Sequence, residues 1–196
     1  MKKLISLLLA VMMALTTLPA LAETSLSDLF SGFTTGTTTE EAFPYTAEEY
    51  KATFDMISGL LLSVTPTWKT EGNVYTASIP GYADVVVETN AAGNVTKLST
   101  GMGFSTSDTS GAEKLGMLIA LVSLASKGTE DLAFLENSVD FTNAIVQVLY
   151  ELLGRIAEAL NGPVTSTGEV YGDTVSFTMS LDMASMYINL SFAYEP

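Results

Sequence analysis

Residues 174–194 alternate between apolar and polar side chains. Val175, Phe177, Met179 and Leu181 are separated by Thr174, Ser176, Thr178 and Ser180. After the turn Asp182-Met183-Ala184-Ser185 the pattern resumes, with Met186, Ile188, Leu190, Phe192 and Tyr194 against Tyr187, Asn189, Ser191 and Ala193. A period of two is that of a β-strand, so each of these strands has one greasy and one polar face. An antiparallel sheet reads this way when one face lies on a core and the other meets water. The rest of the chain must therefore supply something to cover the greasy face.

Helices serve that purpose. Thr46-Ala47-Glu48-Glu49 has the form of a capping box, and Tyr50, Phe54, Ile57, Leu61 and Val64 follow at helical spacing. An amphipathic helix is expected over 47–63, stopped by Pro66. A second capping box, Ser110-Gly111-Ala112-Glu113, opens a helix to about Ser126 with Gly128 as its cap. Residues 115–125 of this helix are apolar all round except Gly116 and Ser123. Such a run is too short to span a bilayer and reads as a central core helix. Residues 131–136 suggest a short connecting helix. Phe141, Ile145, Val148, Leu152, Ile156 and Leu160 form one stripe, which predicts a long helix over 139–160 ended by Asn161-Gly162-Pro163.

Strands are also expected at 67–70, 74–79, 83–89, 95–102 and 164–170, which with 174–181 and 186–194 make seven. Turn chemistry separates them: Glu71-Gly72-Asn73, Pro80-Gly81, the loop 90–94 and Tyr171-Gly172-Asp173. Asp84, Val86 and Glu88 alternate imperfectly with Val85 and Val87, so the third strand reads as central and covered on both sides. The expected fold is α+β: about seven antiparallel strands packed on helices, in the order α-β4-α-α-α-β3. Both halves follow a helix-then-meander plan, and Trp68-Lys69-Thr70-Glu71-Gly72-Asn73-Val74-Tyr75 faintly echoes Gly168-Glu169-Val170-Tyr171-Gly172-Asp173-Thr174-Val175. The strands could form one sheet or two. This layout is similar to tandem helix-on-sheet folds, among them cystatin-like and beta-lactamase-inhibitor-like modules. Likeness of layout does not carry function.

The N-terminus reads as an export signal. Lys2 and Lys3 precede an apolar run to about Leu15, and Ala20-Leu21-Ala22 has the small-x-small pattern of a cleavage site. The mature chain is expected to start at Glu23, outside the cytoplasm, in a secreted, periplasmic or surface-associated form. Residues 23–43, with the run Thr34-Thr35-Gly36-Thr37-Thr38-Thr39, read as a flexible linker, and 44–196 as one domain. Leu26, Leu29, Phe30 and Phe33 could form one docked amphipathic turn within that linker.

Composition limits the chemistry. The chain has 8 Lys+Arg against 22 Asp+Glu. Without Lys2 and Lys3 the balance is 6 against 22, a net charge of −16. Such an excess repels nucleic-acid phosphates and anionic lipid, so neither is expected as a partner. Cysteine and histidine are absent, which removes thiol nucleophiles, disulfides and the usual zinc, copper and haem ligands. No metal site or cofactor is expected, and no calcium loop or phosphate loop occurs. A serine nucleophile would need a lysine or carboxylate base; Ser126-Lys127 is adjacent but reads as a helix end. Paired carboxylates are the remaining acid–base option. Asp84 and Glu88 share a strand face, and Glu169 and Asp173 flank a hairpin.

No catalytic residue is assigned. Aromatic side chains on or near strands offer a binding surface, and Trp68, Tyr75, Tyr171 and Tyr187 are the candidate ligand-binding residues, with cross-strand packing as their structural alternative. The sequence thus favours an exported, non-enzymatic binding module for a protein, peptide or glycan. A carboxylate-dependent extracytoplasmic hydrolase and a self-associating structural protein are the alternatives.

Overall fold

The fold is that of a computed structural model, which describes residues 42–105, 109–131, 138–182, 184 and 187–196. The expected signal, most of the linker and residues 132–136 of the expected connecting helix lie outside the described residues. The architecture is α+β. Helix α1 (Ala47–Leu62) leads into strands β1 (Thr67–Glu71), β2 (Val74–Ser78), β3 (Val85–Thr89) and β4 (Val95–Ser105). Helices α2 (Thr109–Glu130) and α3 (Ser138–Gly154) follow, then a short 3-10 turn (Glu158–Leu160) and strands β5 (Val164–Val170), β6 (Asp173–Asp182) and β7 (Tyr187–Glu195).

All strands join one antiparallel sheet in the order β1-β2-β3-β4-β7-β6-β5. The two meanders meet at β4 and β7, where Leu98 pairs with Tyr194 and Phe104 with Ile188. Helix α2 packs on β4, α3 on β5 and β6, and α1 against α2. Val85, Val87, Leu98, Val175, Phe177, Leu190, Phe192 and Tyr194 turn toward the helices and are fully buried or nearly so. Their strand neighbours form an open face.

Local sequence explains most boundaries. Helix α1 starts with the expected capping box: the Glu49 N–H donates to Thr46 Oγ1 at 3.4 Å and the Thr46 N–H donates to Glu49 Oε2 at 2.7 Å. Ser63, at φ 54, ends it in the left-handed region. Residues 118–128 of α2 are buried throughout, as an all-round apolar helix must be. Among the described residues no helix is long and apolar enough to cross a membrane.

Several expectations are corrected. Ser110 lies inside α2, because the helix already begins at Thr109. Gly128 does not cap α2. The helix runs on to Glu130 because its last turn is tied down: Thr129 Oγ1 donates to Ala125 O at 2.6 Å and Lys127 is anchored to the sheet. Helix α3 stops at Gly154 rather than Leu160. Bonds from Arg155 N to Leu152 O and from Glu158 N to Arg155 O tighten the chain into the 3-10 turn, leaving Leu160 52% exposed and outside the stripe. Strand β3 is not covered on both sides: Val85 and Val87 are buried, but Val86 is half-buried and Glu88 exposed on the open face. Among the described residues the packing also includes Ala42 and Phe43, ahead of Pro44. Phe43 is 1% exposed, stacks on Tyr45 and Tyr194, and donates its N–H to Val95 O at 2.7 Å.

Aromatic rings run through the core from Trp68 to Phe54, Tyr50, Tyr45, Phe43, Tyr194, Phe141 and Tyr171, with successive centroids 5.2–6.2 Å apart. Within this chain Tyr50 Oη is buried and has no hydrogen-bond partner among the described residues. An unsatisfied buried hydroxyl costs about 1–3 kcal/mol. Tyr50→Phe should therefore raise the melting temperature by a few degrees, measured by calorimetry. A fall would mean that the hydroxyl is satisfied by bound water.

Candidate functional site

The open face owes its shape to small side chains. Down its centre run Ser99, Gly101 and Gly103 of β4, Asn189, Ser191 and Ala193 of β7, and Ser176, Thr178 and Ser180 of β6, paired across the strands. Two adjoining hollows lie over them, of about 610 and 350 Å³, sharing Gly101, Thr178 and Ser191 as floor. Together they make one trough. Strand twist curves the sheet, and the absence of long side chains at the centre leaves the curve unfilled. Asp84, Val86 and Lys97 border the wider hollow, and Lys97 Nζ pairs with Glu195 Oε1 at 2.6 Å. That contact, offset in part by burial, holds the Lys97 ammonium above the usual lysine range. Pro163, Ser180 and Asn189 border the narrower hollow.

Both glycines of β4 sit where β7 approaches closely. A Cβ on Gly101 would sit 3.0 Å from Ser191 Cβ and 3.2 Å from Leu190 O. One on Gly103 would sit 2.4 Å from Tyr187 Cε1 and 2.6 Å from Asn189 Oδ1. Tyr187 therefore lays its ring across Gly103 from the neighbouring strand, as aromatic residues do over sheet glycines.

The candidate aromatics do not converge. Tyr187 is 41% exposed and lies on the open face at one end of β7. Trp68 and Tyr75 are half-buried on the helix side of the sheet. Trp68 Nε1 donates to Asp55 Oδ1 at 2.8 Å, and its ring meets Phe54 edge-on. Lys51 Nζ sits 5.7 Å from the Trp68 ring centroid and 5.6 Å from that of Tyr75, so this pair closes the end of the core beneath a lysine of its own chain. Tyr171 is 55% exposed at the β5–β6 turn, with its ring edge-on to Phe141. Tyr171 and Gly172 have φ 56 and 90, the two positive values of a type I′ hairpin turn. A tyrosine is costly in the first of these positions, where asparagine is favoured, and the Phe141 contact offsets part of that cost.

The carboxylate pairs also separate. Glu169 is exposed on the open face, whereas Asp173 turns into the core. Asp84 and Glu88 share the open face and are both exposed. Among the described residues no group of three or more carboxylates is placed to hold a metal ion.

Asp173 belongs instead to a buried polar cluster that sequence reading missed. Lys127 Nζ lies 2.5 Å from Asp173 Oδ2 and 2.9 Å from Glu130 Oε2, and Tyr194 Oη donates to Asp173 Oδ2. Nearby, Tyr45 Oη and Ser126 Oγ are 2.6 Å apart. The signal was strand parity: Asp173 is in phase with Val175 and Phe177, so it had to face the core. Burial alone would pull the Lys127 proton off more easily, but hydrogen bonds to Asp173 and Glu130 outweigh it and hold the ammonium above the usual lysine range. Burial pushes the Glu130 carboxyl up, with Lys127 opposing. A lysine acting as base or nucleophile at neutral pH needs the opposite shift. Ser126 is fully buried on a helix and out of reach of substrate. The cluster pins the end of α2 to the sheet.

No protein-family model, curated protein or solved structure matches this chain.

Proposed function

We propose that this chain is an exported, non-enzymatic binding module, released behind Ala22, that holds an extracytoplasmic protein, peptide or glycan in the trough of its open sheet face. The observation that carries this reading is the trough itself: a polar, hydroxyl-lined hollow across the centre of a sheet whose other face is covered by helices. A solvated sheet face with no ligand to accommodate has no need of paired Gly, Ser and Ala at its middle; long charged side chains would serve solubility better. Within the proposed range of ligands, a polypeptide fits best. The floor offers hydroxyls and backbone groups, and the Phe192 ring turns toward the core; the exposed Tyr187 ring stands at one end, across Gly103, rather than over the wider hollow, which therefore offers sugar rings little to stack on. Nucleic acid and membrane insertion are not part of this reading, because the acidic excess opposes both anionic surfaces.

Ser176→Arg and Ser99→Arg place a long side chain in the wider hollow without touching the core. Screening the mature chain against peptide and glycan arrays should give saturable binding. Each variant should weaken it at least tenfold while melting within about two degrees of the parent. Equal binding by parent and variants would remove the trough from the function. Turnover of a glycan or ester substrate that disappears in Asp84→Asn would replace the binding module with a hydrolase.

A further inference from the structure

The two edges of the sheet are built differently. Strand β1 is five residues long and carries Lys69 and Glu71. Strand β5 is seven residues long, Val-Thr-Ser-Thr-Gly-Glu-Val, with neither lysine, arginine nor proline. Natural sheets protect their edges with charge, especially lysine, and with proline or bulges, and β5 is the less protected end.

Register and turn type determine which backbone groups β5 presents. A two-residue type I′ turn makes Val170 and Asp173 a hydrogen-bonded pair, so Gly168, Ser166 and Val164 bond to β6 in alternation. The N–H and C=O groups of Thr165, Thr167 and Glu169 point away from the sheet. Arg155 gives an independent sign of this polarity, since its Nη1 donates to Thr165 O at 2.6 Å. Among the described residues no strand lies beyond β5. The surroundings of this edge are acidic. Glu169 is exposed on the open face, Glu151 Oε2 accepts from Ser166 Oγ at 3.4 Å on the helix face, and Glu158 is engaged by Arg155.

We propose that β5 is a strand-addition site for an extended, lysine- or arginine-rich segment of another protein. The added strand would pair with Thr167 and Glu169, and basic side chains on either of its faces would meet a carboxylate: Glu169 on one, Glu151 on the other. A second copy of β5 is the poorer occupant, because it would oppose these carboxylates with their own kind on a chain of net charge −14. The site is separate from the trough and does not depend on it.

The probe is a labelled lysine–threonine repeat decapeptide, titrated with the mature chain and followed by fluorescence anisotropy. The comparisons are a glutamate–threonine repeat and a lysine–threonine repeat N-methylated at every residue, which has lost the donors of both strand edges. Thr167→Pro removes one outward N–H and leaves the β6 ladder intact, as prolines on edge strands do. Glu169→Lys reverses the charge. The lysine peptide should bind saturably, and both comparison peptides and both variants should bind at least tenfold more weakly; Ser176→Arg should bind as the parent does. Undiminished binding of the N-methylated peptide, or by a folded Thr167→Pro chain, would reduce the contact to charge attraction and overturn the proposal. So would a concentration-dependent dimer through β5. If Thr167→Pro does not fold, Glu169→Lys decides, with unchanged binding counting against the site.

Discussion

Leu152→Asp should abolish cooperative unfolding. Leu152 is fully buried on α3, in the same stripe as Phe141, Ile145 and Val148. Burying a leucine contributes about 1.5–3 kcal/mol relative to exposure. The substitution also places an unpaired carboxylate against the sheet, and a buried charge without a partner costs several kcal/mol more. A domain has only ~5–15 kcal/mol of net stability, so the two effects together consume most of it. Chemical denaturation followed by circular dichroism should show a broad, sloping transition or none. A variant with a sharp transition within a few degrees of the parent would mean that α3 does not sit on β5 and β6.

Above pH 10 the fold should lose stability steeply. Burial keeps the phenols of Tyr45, Tyr50 and Tyr194 protonated far above the ordinary tyrosine value of 10.0, with Asp173 adding to the effect on Tyr194. Lys127 likewise keeps its proton beyond 10.5 when folded. In the unfolded chain these groups release protons near 10.0 and 10.5. The unfolded state then binds fewer protons than the folded one, so stability falls as pH rises through this window and is intact below it. Each group contributes roughly 1.4 kcal/mol per pH unit once its unfolded form is ionised. The three phenols together approach about 4 kcal/mol per pH unit, a slope few domains survive for long, and Lys127 adds to this only until its folded form also releases its proton. Denaturation at pH 8, 9.5 and 11 measures it, and Tyr194→Phe should flatten the curve. Equal stability at pH 8 and 11 would show that water reaches the phenols.

Periodic elements were legible in the sequence, and single contacts were not. The alternation of β6 and β7, the capping box of α1 and the all-round apolar run of α2 each report a local rule, and each is present in the fold. The end of α3 was misread because Ile156 and Leu160 continue the spacing of the stripe, while the turn that interrupts it is held by Arg155, whose backbone N–H donates to Leu152 O and whose Nη1 reaches Thr165 O. Phe43 was assigned to a linker because its burial depends on Tyr194, distant in sequence. The same limitation applies to the candidate site. Trp68, Tyr75, Tyr171 and Tyr187 share a chemistry that sequence displays, but their separation into three places is a matter of register and facing. The trough was harder still to see, since it is formed by what Gly101, Gly103 and Ala193 lack.

The seam between β4 and β7 also orders the assembly of the molecule in time. β4 is translated before α2, α3, β5 and β6, yet its second neighbour is the last strand of the sheet. Until β6 and β7 arrive, β4 is a bare edge and Lys127 of α2 lacks Asp173, which ties it to the sheet. Long-range pairings of this kind close slowly, and the interval exposes greasy surface to other chains. A newly made molecule would thus remain open through most of its synthesis. During that interval the unpaired edge of β4 is the stretch on which a holding chaperone would act.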